Sequence, residues 1–165
     1  EIKQPASRPV EEIALCEHLV HIKEVPALAD LVSKYLPREI LTDAACRTMV
    51  EASLTADRTG RDIQDVLREE HDESGELQRF AAELLVMPEK VKGKEDSNEK
   101  AVKDIILGIW RRELKRERSE LDKQSDEKLG RKDLERRSNL THHLKTLGNW
   151  EDGSLVIEME MAARK

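Results

Sequence analysis

Only four aromatic side chains, Tyr35, Phe80, Trp110 and Trp150, occur in 165 residues. Any core this chain builds is therefore made of Leu, Ile, Val, Ala and a few Met. Such side chains lose little rotamer freedom in a helix, whereas sheets are stabilised by aromatic and β-branched cross-strand pairs. Helices packed on helices are the expected architecture. The length suits one domain, or one domain with an appendage.

Apolar residues recur at three-and-four spacing along most of the chain, as one-sided helices require. Residues 1–8 read as the end of a linker. After Pro9, Ile13, Leu15, Cys16, Leu19, Val20 and Ile22 give the first helix a wide apolar face, with Glu11 and Glu12 complementing the dipole at its start. Val25-Pro26 breaks the chain. A second helix carries Leu28, Leu31, Val32, Tyr35 and Leu36 and ends at Pro37. A third starts near Thr42-Asp43, and the cluster Thr55 to Gly60 reads as a loop. A brief helix over 62–72 follows, and then a fifth capped by Ser74, with Leu77, Phe80, Ala81, Leu84 and Leu85 inward.

Residues 88–98 lack apolar periodicity and read as an exposed loop. Ser97 or Asn98 caps a long helix whose stripe is Val102, Ile105, Ile106, Ile109, Trp110 and Leu114. Beyond Leu114 the sequence is mostly charged, so the helix is expected to leave the core and project into solvent. A second leg from Lys132 carries Leu134, Leu140, Leu144 and Leu147 and stops at Gly148. The corner between the legs falls at Ser125-Asp126 or at Gly130. The tail 149–165, with the alternating run Leu155 to Met161, fits a strand, a helix end or a disordered segment. The organisation is thus linker end 1–8, helical body 9–121, hairpin 122–148 and tail 149–165: an all-α bundle with a long helix leading into a C-terminal helical hairpin.

The formal net charge is −6. Residues 1–102 carry 14 Lys/Arg against 22 Asp/Glu, whereas 103–139 carry 12 against 9. An acidic body with a mixed extension argues against strong direct nucleic-acid binding, which needs a dense cationic face to displace phosphate counterions. The run 110–123, WRRELKRERSELDK, is balanced by acid and lacks interleaved aromatics, so a solvated helix face is the expected reading. No run of about 18 apolar residues is present, and no signal peptide, which points to a soluble cytoplasmic protein away from membranes. Cys16 and Cys46 fall on apolar faces with no spacing of a disulfide framework or a zinc site.

Chemistry has little foothold. His18 and His21 lie three apart near Cys16, yet no carboxylate-x-x-His pattern accompanies them, and core histidines are the expected reading. His142 and His143 point to different helix faces. The acid pairs Glu11-Glu12 and Glu69-Glu70 sit on solvated faces, without the pocket that general acid/base work needs. Phosphate-binding glycine loops and nucleophile elbows are missing from the sequence. No catalytic residue, cofactor site or metal site is expected in this chain. The Leu stripe of 134–147 is the sharpest hint of function, because a two-helix leg outside the main bundle buries little of its own apolar surface. Leu140, His143, Leu144 and Leu147 are the candidate partner anchors, with Arg136 and Arg137 at the rim and Trp150 beyond.

The acidic, Leu-rich opening Glu11 to His21, followed by Pro26, the helices over 28–54 and Leu77–Met87, the isoleucine-rich Ala101–Leu114 and the Leu140–Leu147 leg together resemble a known organisation. It is that of the C-terminal helicase-binding domain of bacterial DnaG-type primase, over roughly residues 9–148. The resemblance implies a non-catalytic module of the primosome that docks on the N-terminal domains of the hexameric, DnaB-type replicative helicase, placing primer synthesis at the replication fork. Primer synthesis, with its zinc and magnesium, would belong to other parts of such a primase. The segment after Gly148 extends beyond the family pattern. Two alternatives stay open: the N-terminal domain of the helicase itself, whose body is similar, or another helical interaction module. A small helical enzyme or metal protein is a third class, which metal analysis and nucleotide binding would separate.

Overall fold

The computed structural model describes residues 9–20, 27–71, 75–85, 95–124 and 127–164. Among them it is all-α, without strands. Eight α-helices run in the order α1 (Val10–Leu19), α2 (Ala27–Tyr35), α3 (Ala44–Thr59), α4 (Ile63–Val66), α5 (Glu76–Leu85), α6 (Glu95–Asp122), α7 (Arg131–Thr146) and α8 (Trp150–Ala163). A 3-10 turn, Arg38–Ile40, precedes α3, and a π-helical turn, Leu67–His71, continues α4. The chain divides into two compact units, Glu1–Ile105 and Ile106–Lys165, with the division inside α6.

In the first unit α1 is enclosed on most of its circumference. Leu15, Cys16 and Leu19 are fully buried, and Glu12, Glu17 and His18 are buried with them. Helix α1 packs on α3 and α5, and α3 also receives α2 and α4. Leu28, Val32, Leu41, Cys46, Met49, Val50, Val66 and Leu67 complete an interior without one aromatic ring that is fully enclosed. The buried Glu12 is satisfied at the entrance of α3: its Oε2 accepts from the Thr42 hydroxyl at 2.8 Å and its Oε1 from the Asp43 N–H at 2.9 Å. Asp43 in turn accepts from the Cys46 N–H at 2.9 Å, so two carboxylates in series fix where α3 begins.

Three boundaries differ from the sequence reading. Thr55 to Thr59 is the last turn of α3, not a loop. Buried Ala56 holds that turn to the core, the Thr59 hydroxyl bonds back to the Thr55 carbonyl at 2.7 Å, and Gly60 at φ 71° closes the helix with its N–H on the Ala56 carbonyl. Helix α6 begins at Glu95 instead of behind a Ser97 or Asn98 cap, and Asn98 lies buried inside the helix. The segment after Gly148 is the helix α8, opened by Asn149, whose side-chain oxygen accepts from the Asp152 N–H at 2.9 Å. The linker 1–8, Val25-Pro26, His21, Ser74 and the expected corner at Ser125-Asp126 lie outside the described residues.

Candidate docking surface

The second unit consists of the C-terminal part of α6 with α7 and α8. Its apolar interior is Ile106, Leu107, Ile109, Trp110, Leu114, Leu129, Leu140, Leu147, Val156 and Ile157. Helix α8 reaches this interior through Gly153. A Cβ at that position would lie 2.5 Å from a Leu107 methyl and 3.5 Å from the Leu147 Cα, so any side chain there requires Leu107 to shift.

A polar clasp joins the three helices. The Arg136 guanidinium on α7 forks across two carboxylates, bonding Glu160 of α8 at 2.7 and 2.5 Å and Glu117 of α6 at 3.0 and 2.9 Å. His143 adds its Nδ1 to Glu160 Oε2 at 2.7 Å. Arg164, at the end of α8, reaches Glu117 at 3.2 Å and lies over the Trp110 ring at 5.3 Å. The Glu160 side chain is 1% exposed. Burial alone would push its carboxyl up, but the bonds and charge of Arg136, helped by His143, hold it below the usual carboxylate value. Arg136 is held still more firmly protonated by Glu160 and Glu117. Arg111 also donates to the Leu147 carbonyl at 3.2 Å, satisfying the end of α7.

The residues singled out in the sequence as partner anchors mostly face inward. Leu140 and Leu147 are fully buried and His143 nearly so, which leaves them no surface to give to a partner in this conformation. Leu144 and Trp150 are half-buried. Arg136, expected at a rim, is instead the centre of the clasp. Arg137 pairs at 3.8 Å with Asp122, in a partly exposed setting where such pairs contribute little. The reason for the inward set is α8, which packs on α7 and covers the stripe that a bare two-helix leg would have left open.

Helix α8 itself is apolar on two sides. Its inner face holds Gly153, Val156 and Ile157, whereas Leu155 and Met159, 58% and 59% exposed, stand one turn apart on the outer face. Exposed Glu151, Asp152 and Glu158 flank them, and exposed Ala162 continues the strip. Sequence reasoning missed this pair. The available signal was that Leu155 to Met161 has more apolar positions than one buried helix face can use. Among the described residues no cluster of three His, Cys, Asp or Glu side chains is placed to hold a metal ion, and no helix is long and apolar enough to cross a membrane. Comparison with protein-family models, with curated proteins and with solved structures finds no match to this chain.

Proposed function

We propose that this chain is a helical docking module without catalysis of its own, serving as the helicase-binding domain of a bacterial replicative primase. In this reading it attaches primase to the N-terminal domain of the hexameric replicative helicase during primer synthesis. The partner's identity rests on the sequence resemblance. The observation that carries the docking reading is the exposed Leu155/Met159 pair, held on a helix whose other face is already committed to the core. Apolar side chains left one turn apart in water, beside three acids, suit a partner with an apolar groove and a basic rim.

Calorimetric titration of the full chain against the helicase N-terminal domain from the same organism tests this. Leu155→Ser with Met159→Ser should weaken binding by about 2 kcal/mol or more, the scale of hot-spot truncation, with helicity unchanged because both side chains face solvent. No measurable binding by the native chain would defeat the helicase reading. Full affinity in the double variant would move the docking surface away from α8.

A further inference from the structure

Cys16 and Cys46 stand thirty positions apart in sequence, and folding brings them together across the α1–α3 contact. Both are free and fully buried. The Cys16 Sγ lies 3.7 Å from the Cys46 carbonyl oxygen, which sets the Cys16 sulfur directly against residue 46 of α3. The neighbouring Cys46 side chain, with burial second, raises the Cys16 thiol well above its ordinary value. We propose that Cys16 and Cys46 form an oxidisable dithiol whose disulfide cross-links α1 to α3.

The arrangement favours this product over others. The oxidant would be a small-molecule disulfide of the glutathione class. During a local opening, one cysteine attacks as thiolate, forming a mixed disulfide and releasing one small thiol, which takes up the proton. On reclosure the core has no room for the adduct, since both cysteines and Leu15, Leu19, Met49 and Val50 of the same two helices are already fully buried. The second protein thiol then displaces it. One protein disulfide forms, two small thiols leave carrying the two protons, and the two electrons lost by the cysteines reduce the oxidant. Burial makes the reaction slow, because Cys16 keeps its proton in the closed state and neither sulfur meets solvent. The position of equilibrium is set instead by the closed geometry, in which Cys16 already lies against Cys46 across the α1–α3 contact.

Equilibrating the full chain for days in glutathione buffers of graded ratio, then alkylating and weighing it, tests the proposal. A species about 2 Da lighter that resists alkylation, yields a linked Cys16–Cys46 peptide and reverts with dithiothreitol is expected. Closing this loop should raise the melting temperature by roughly 5–15 °C. Cys46→Ala should abolish both the mass loss and the temperature shift. Two alkylated cysteines at the oxidising limit, glutathione adducts alone, or disulfide-linked dimers would each overturn the proposal.

Discussion

Glu160 carries more of the C-terminal unit than its place in an apolar-looking helix suggests. A buried carboxylate is costly unless its charge and lone pairs are met, and here Arg136 and His143 meet them. Glu160→Ala leaves the Arg136 guanidinium with Glu117 alone and the His143 Nδ1 without its acceptor. We expect a loss of about 3 kcal/mol, within the range for breaking one side of a buried pair, measured by urea unfolding followed through far-UV circular dichroism. The sign of the pH dependence follows from the lowered carboxyl. Its stabilisation is complete above the ordinary carboxylate value of 4.5 and is lost as pH falls below that and through the native value. Unfolding midpoints between pH 7 and pH 3 should therefore fall more steeply for the native chain than for Glu160→Gln. Equal slopes would remove Glu160 from the acid response.

At the scale of elements, the sequence made α1 to α5 and both legs of the long-helix hairpin legible, because each carries apolar residues at helical spacing. It did not make α8 legible, for a physical reason. The run Leu155-Val-Ile-Glu-Met-Glu-Met161 alternates at its end like a strand and repeats at three-and-four spacing like a helix, and only contact with α7 and the Asn149 cap decide between them. The error over Thr55 to Thr59 is of the same kind: polar residues signalled a loop, but one buried alanine per turn sufficed to continue the helix. Gly153 tests how closely α8 must approach. Glycine inside a helix ordinarily costs stability, so a larger residue ought to help. At this position Gly153→Val should instead destabilise by about 2 kcal/mol, because its Cβ meets a Leu107 methyl at 2.5 Å inside a packed core. A thermal melt that is unchanged or raised would mean that Leu107 can turn aside.

For the whole molecule, the candidate anchors were legible as residue types but not as surface. Period and composition identified Leu134, Leu140, Leu144 and Leu147 as an apolar stripe, whereas which element covers that stripe depends on a helix the sequence left undecided. The same covering bears on α6. Its apolar stripe reads as continuous from Val102 to Leu114, yet the compact units divide between Ile105 and Ile106. Ile106, Ile109, Trp110 and Leu114 therefore belong to a unit whose other members are α7 and α8. Trp110 gives this a direct readout, being fully buried with Arg164 of α8 over its ring at 5.3 Å. A chain ending at Asp122 loses α7, α8 and Trp150 together, so Trp110 becomes its sole tryptophan. Its fluorescence should shift to the red and become accessible to iodide, relative to Trp150→Phe in the full chain, where Trp110 is again alone but remains covered. The helical signal of the first unit should persist in the shortened chain, since the Glu12–Thr42–Asp43 junction and the α1–α3 contact lie wholly within it. Blue, iodide-protected emission from the chain ending at Asp122 would show that α7 and α8 are not what shelters Trp110, and would return the stripe Ile106 to Leu114 to the N-terminal body.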